Sequence, residues 1–162
     1  MIAMKDERTE DEKELYGLCV HGTHEQIAAL LERGVNPNVP YWRKERIGAC
    51  DPPVEWVWYL DYPIHQAAFH QSVETVRMLV SKGVNPKVKD FWNSEPLMYA
   101  SIAHNVEVIK YLVEDCGNDP GWQNDDGDVP YWKVRDMPEL CRWMVAKAKE
   151  CNPEHEEWYE DD

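Results

Sequence analysis

Apolar positions along the chain fall into short helical stripes punctuated by prolines and glycines. The order is most complete between Asp61 and Pro86. Pro63 opens the run Ile64-His65-Gln66-Ala67-Ala68, where its missing N–H is not needed and its fixed φ suits a first helical turn. Gln71-Ser72 interrupts the run, and Ser72 stands where a side chain can cap the next helix. Val73, Val76, Leu79 and Val80 then recur at i, i+3, i+6 and i+7, the apolar face of a second helix. Gly83 ends that helix at a position that tolerates positive φ, and Pro86 prevents its continuation. The pattern predicts two short antiparallel helices followed by a turn.

The unit recurs. Pro63, Pro96 and Pro130 are spaced by 33 and 34 residues. Closing turns stand at Gly34-Val35-Asn36-Pro37, Gly83-Val84-Asn85-Pro86 and Gly117-Asn118-Asp119-Pro120. The second-helix stripe returns as Val106, Ile109, Leu112 and Val113, and earlier as Ile27, Leu30 and Leu31 with His24 in the first slot. A period near 33 built from a turn and two helices marks a solenoid. The chain resembles the ankyrin repeat family. Pro63-Ile64-His65-Gln66-Ala67 stands where that family has T-P-L-H-x-A, and Gly83-Val84-Asn85 where it has G-A-D. The resemblance spans about residues 15 to 150 and implies an all-α solenoid of about four units, the first and last degenerate. It implies recognition without naming a ligand. The family threonine is replaced by Tyr62, Glu95 and Val129, and the glycine between the helices survives as Gly22 but becomes Gln71 and His104. An array less stable than a consensus one is expected. The motif histidine, His65, is expected to bond backbone in a neighbouring turn.

One domain is expected, divided as a first unit over 10–38, an insertion over 39–60, units over 61–94 and 95–128, a capping unit over 129–150 and an acidic tail over 151–162. In the first unit Leu15, Leu18 and Cys19 should face inward from a helix over 10–21. The insertion breaks the period. It joins the basic cluster Arg43-Lys44-Glu45-Arg46 to Pro52-Pro53 and then to the aromatic run from Val54 to Leu60, which alternates loosely and reads as extended. A long loop insertion after the first unit is expected, since insertions in a solenoid emerge as loops on one face, often the binding face. Trp56 and Trp58 are therefore candidates for binding, or for folding back over neighbouring helices. In the family's geometry the segment 87–94 is a hairpin finger, which places Phe91-Trp92 at a tip beside Tyr41-Trp42. Aromatic rings dominate binding hot spots. The same rings can instead stiffen the array. The third finger, Asn124-Asp125-Asp126-Gly127-Asp128, is acidic and turn-like, and lacks the twelfth-position glutamate of a calcium loop. In the cap, Tyr131-Trp132-Lys133-Val134 stands for the first helix, and Pro138 starts a second with Leu140, Cys141, Met144 and Val145 inward.

Charge adds a direction. The net charge is −14, and residues 1–16 and 154–162 account for most of it; the body from 17 to 153 carries only −5. A nucleic acid would meet a surface that repels phosphate, and is excluded. A basic protein partner is favoured, with charge acting mainly on the encounter rate. Acidic ends equally serve solubility. No apolar run reaches the ~18 residues of a membrane span. The first residues turn acidic at once and read as lacking a secretory leader. Five cysteines without a CxxC pair fit reduced thiols in the cytoplasm or nucleus.

No P-loop, HExxH, G-x-S-x-G or nucleotide fingerprint is present. Cys19, His21 and His24 lie close in sequence, yet i, i+2 places the first two on different helix faces and no fourth ligand follows. Pairing Cys50 with His70 or His104 has no supporting spacing. His21, His70 and His104 all lie at or beside the turn between the helices and suggest one surface ridge. The sequence therefore reads as a non-catalytic module, monomeric when free, without metal or cofactor. It would bind a basic protein in an inhibitory, escort or immunity-type role. Tyr41, Trp42, Phe91 and Trp92 would be anchors, Trp56 and Trp58 would extend the site, and Asp125 and Asp126 would steer. The alternative is a scaffold or substrate adaptor with a second site in 39–60.

Overall fold

The computed structural model describes the backbone of residues 8–46 and 56–154, and their side chains except at 43–46 and 56–59. The expectations for residues 1–7, Cys50, Pro52-Pro53, the rings of Trp56 and Trp58, and the chain after Glu154 lie outside the described residues.

Prolines and glycines set the element boundaries as the sequence pattern predicts. The order is α1 (Glu10–His21), α2 (His24–Glu32), β1 (Tyr41–Arg46), β2 (Trp56–Asp61), α3 (Pro63–His70), α4 (Val73–Ser81), α5 (Pro96–Ile102), α6 (Val106–Glu114), a 3-10 turn (Pro130–Val134) and α7 (Pro138–Cys151). First helices form one layer, α1 against α3, α3 against α5, and α5 against the 3-10 turn. Second helices form the other, α2 against α4 and α4 against α6. The core runs between the layers through Leu15, Ile27, Ile64, Leu79, Leu97, Ile109, Leu112 and Met144, all without solvent exposure. An all-α solenoid is what forms, each helix pair packed on the next.

Three local expectations are corrected. Ser72 stands at the N-cap of α4, but its hydroxyl makes no cap hydrogen bond. The capping is done by Thr9 and Thr23, each in a reciprocal box with the third helical residue. Thr23 Oγ1 accepts from Gln26 N–H at 3.4 Å, and Gln26 Oε1 accepts from Thr23 N–H at 2.9 Å. Thr23→Ala should therefore cost about 1 kcal/mol in urea unfolding, and Ser72→Ala clearly less. In α6 the buried face is broader than the stripe, because the helix packs on α5 as well as α4. Val108 and Tyr111 join Ile109, Leu112 and Val113, whereas Val106 is half-buried. The insertion is not simply a loop: β1 and β2 pair antiparallel with Trp42 opposite Leu60.

The substituted inter-helix positions have found other work. Gln71 Nε2 donates toward carbonyls at the end of α1 and its cap, at 3.2 Å from Cys19 O and 3.3 Å from Gly22 O. Those carbonyls have no partner within their own helix. Asn105 Nδ2 then donates to Gln71 O at 2.9 Å, and His104 Nε2 to Lys133 O at 2.9 Å. His104 adopts φ +54, the conformation a glycine would take there. The units are thus laced along the stack by side chains that the family pattern lacks.

Candidate functional site

A row of turns runs along one edge of the stack, and two of them share one device. Asp90 Oδ1 accepts the N–H groups of Trp92 at 2.9 Å and Ser94 at 2.8 Å, while Tyr99 Oη donates to Oδ2 at 2.7 Å. One repeat later Asn124 Oδ1 accepts from the N–H groups of Asp126 at 3.1 Å and Asp128 at 2.8 Å. An Asx side chain closing its own turn in this way is a local substitute for a backbone ladder. Positive φ falls at the matching positions Asn93 and Gly127. Neighbouring turns are joined by backbone bonds, Phe91 N–H to Leu60 O and Asp125 N–H to Trp92 O, each 2.9 Å. The β1–β2 hairpin and both turns therefore form one continuous rim.

Between this rim and the ends of α3 and α5 lies an open groove of about 510 Å³. Phe69, Trp92, Met98, Tyr99 and Ile102 make its apolar floor and wall, with Asp126 and Asp128 at one side. Ile102 is 47% exposed, unusual for an isoleucine in a helix. Phe91 and Trp132 are the other large exposed apolar side chains among the described residues. Asp128 is paired with Lys133 Nζ at 2.6 Å. Asp125 and Asp126 are exposed and, among the described residues, have no ion-pair partner. Partial burial, and then the charge of His21, hold His70 at the groove below the usual imidazole pKa. The two rings are 6.4 Å apart, so these two histidines are neighbours.

The sequence-derived candidates separate here. Trp92 and Asp126 line the groove, with Asp125 next to them on the rim. Phe91 packs edge-on to Trp92 at 5.1 Å and stays exposed. Tyr41 is at the base of the hairpin: its ring stacks on Tyr16 of α1 at 3.9 Å, and the Arg8 guanidinium lies 4.1 Å from its centroid. Trp42 is half-buried opposite Leu60. Trp56 and Trp58 lie in β2, across the ladder from Arg46 and Lys44. Sequence reasoning missed Phe69, Tyr99 and Ile102. The repeat period was the available signal, since Phe69 and Ile102 both stand six residues after the unit's opening proline.

A buried polar knot holds the hairpin against the helices. Asp61, 1% exposed at the end of β2, accepts from Tyr62 N–H and Tyr16 Oη at 2.7 and 2.8 Å and from Gln66 Nε2. His65 Nδ1 stands 2.9 Å from its Oδ1. Burial pushes the Asp61 carboxyl up, but the bonds and charge from His65, then those from Tyr16 and Gln66, outweigh it and hold it below the usual carboxylate range. His65 Nε2 lies 3.2 Å from Val88 O in the neighbouring turn, as the motif predicts. The Cys19 thiol is pushed up to about 12 by burial and then by Asp61, which leaves it in the unreactive thiol form. His24 Nδ1 is 3.0 Å from Thr75 Oγ1. Among the described residues no group of three or more His, Cys, Asp or Glu is placed to hold a metal ion, and no helix is long and apolar enough to cross a membrane.

Stacked helix pairs with a rim of turns over an open groove define a repeat-type recognition scaffold. The chain belongs to the ankyrin repeat family, whose model matches residues 19–124 as three copies. The unit over 129–150 lies beyond that match. Similar stretches occur in E3 ubiquitin-protein ligase KEG of Arabidopsis thaliana, 26% identical over 104 residues, which is 62% of this chain and 6% of that protein. Another occurs in transient receptor potential cation channel subfamily A member 1 of Homo sapiens, 33% identical over 71 residues, 44% of this chain and 6% of that one. The chain thus matches only a small part of either relative's length. As an ankyrin-repeat chain it is a protein-interaction module.

Proposed function

We propose that the groove beside the finger row binds a basic protein partner without catalysis, in an inhibitory, escort or immunity-type role. The observation that carries this reading is Asp126, an exposed carboxylate without an ion-pair partner among the described residues, at the edge of an apolar floor. A lysine or arginine side chain fits that combination: its methylene stem covers Phe69 and Ile102 while its charge meets the carboxylate. Asp125, one residue away, and the net charge of −14 add long-range attraction.

The test is affinity capture of a partner, followed by kinetics with purified components. Trp92→Ala should weaken binding by about 2 kcal/mol or more, roughly 30-fold, mainly through faster dissociation. Asp126→Asn should mainly slow association, and added salt should reduce the native rate toward that of the variant. Equal affinity of native chain and Trp92→Ala would remove the groove from the reading, and a salt-independent rate would remove the basic partner. A scaffold with a second site in 39–60 is supported by one observation, the backbone continuity of β2 with the Phe91 turn. Two separable partners, one lost on deleting residues 43–60, would establish it.

A further inference from the structure

The direction of one carbonyl fixes the hydrogen-bonding phase of the whole hairpin. Leu60 O accepts from Phe91 N–H at 2.9 Å, so Leu60 turns its backbone groups away from β1. Its opposite residue is Trp42. In an antiparallel ladder such a pair is non-hydrogen-bonded, and the two kinds of pair alternate strictly. The register has no bulge between Tyr41↔Asp61 and Arg46↔Trp56. Trp42, Lys44 and Arg46 therefore direct their N–H and C=O groups outward from β1, and Tyr41, Arg43 and Glu45 direct theirs into the ladder.

That outer flank is an edge. Among the described residues no other segment makes backbone hydrogen bonds to it, whereas the flank of β2 is already engaged by the Phe91 turn. An open edge strand is a template for another strand. Its charge decides which one. Arg43-Lys44-Glu45-Arg46 carries three cations and one anion, a net of +2 inside a chain of −14. Like charge rejects a second β1, and opposite charge favours an acidic strand.

We propose that the outer edge of β1 binds an extended acidic segment of a partner protein by strand addition, with the outward backbone groups of Trp42, Lys44 and Arg46 supplying the hydrogen bonds. This site is separate from the groove and of opposite charge preference. A six-residue strand offers about 20 Å of edge. The array would then hold an acidic strand at one end of its row of turns while the groove holds a cationic side chain further along, which gives one rim two ligands of different sign.

The test is fluorescence anisotropy on the full chain with a labelled octapeptide of alternating valine and glutamate. Its comparators are a valine–lysine octapeptide and the valine–glutamate peptide N-methylated at its four central amides. The valine–glutamate peptide should bind about tenfold or more tighter than either comparator. On the protein side Lys44→Pro is set against Lys44→Gln. Both remove the charge, but only proline removes an outward donor, and it takes nothing from the β1–β2 ladder. Binding should fall about tenfold further in Lys44→Pro than in Lys44→Gln, with the thermal unfolding midpoint of both close to native. Equal binding of the two variants, or of the methylated and unmethylated peptides, would leave charge attraction without strand addition and overturn the proposal. So would the absence of binding by every peptide. If Lys44→Pro unfolds early, the methylated peptide decides alone, since it leaves the protein untouched. Dimerisation in sedimentation that is lost on removing residues 154–162 would give the edge to a second copy's acidic tail and overturn the partner assignment.

Discussion

Asp61→Ala should destabilise the protein by about 3–5 kcal/mol, the range for removing one partner from a buried charge network. Asp61 is 1% exposed and takes hydrogen bonds from α1, from α3 and from Tyr62 at the cap of α3. Its loss removes the acceptor of Tyr16 Oη and Gln66 Nε2, and one of the two acceptors of Tyr62 N–H, and takes away the side-chain hydrogen bond from α1 to β2. Each buried donor left unpaired costs about 1–3 kcal/mol. Asp61→Asn should cost less, because one amide oxygen still accepts. The pH dependence has a definite sign. A carboxyl whose folded pKa is lowered adds stability above the unfolded value, about 3.9, and that stability is lost as pH falls through the folded value. Native protein should therefore lose stability steeply below about pH 4, and Asp61→Asn should show a shallower acid limb. Urea midpoints measured across pH 2–7 would decide the matter. An Asp61→Ala variant within about 1 kcal/mol of native would show that the knot is not what holds the hairpin on the helices.

Leu97→Ala should cost about 2–5 kcal/mol, the range for truncating a fully buried leucine. Leu97 is 0% exposed in α5, whose neighbours are α3, α6 and the 3-10 turn. In a solenoid each unit is stabilised by its neighbours, so a cavity in the middle weakens both contacts. The unfolding transition should broaden as well as shift, read as a lower urea m value. Phe91→Ala is the matched control. The ring is 42% exposed and should change stability by no more than about 0.5 kcal/mol. If Phe91→Ala destabilised as much as Leu97→Ala, the ring would be part of the fold and unavailable to a partner.

The helices were legible in the sequence because each carries its own boundary chemistry. Prolines start α3, α5 and α7, and the glycines at 34, 83 and 117 take positive φ just beyond α2, α4 and α6. These signals are local, so they are readable without a partner. Strand β1 was not legible. Tyr41-Trp42-Arg43-Lys44-Glu45-Arg46 has no apolar alternation, and it is a strand because it pairs with residues 56–61. Strand preference expresses packing and pairing more than an intrinsic backbone choice. Ser72 and Thr23 make the same point at smaller scale: both have a hydroxyl at an N-cap, and only Thr23 bonds there.

The candidate site divides along the same line. Trp92 and Asp126 could be named from the finger positions, and both line the groove. Tyr41 could not be told from a free fingertip, because its neighbours Tyr16 and Arg8 come from α1 and the residue before its cap. Asp61 reads in sequence as an ordinary turn aspartate, yet its donors come from 45 residues upstream as well as from the adjoining helix. By itself the sequence determined the repeat, its helix limits and its core stripes, since these rest on periodicity and on the intrinsic geometry of proline and glycine. The tertiary structure alone decided which aromatic rings stay exposed, which carboxylate is buried and which edge of the hairpin is open. Those properties depend on atoms brought together from distant parts of the chain, and no short stretch of sequence contains both members of such a contact.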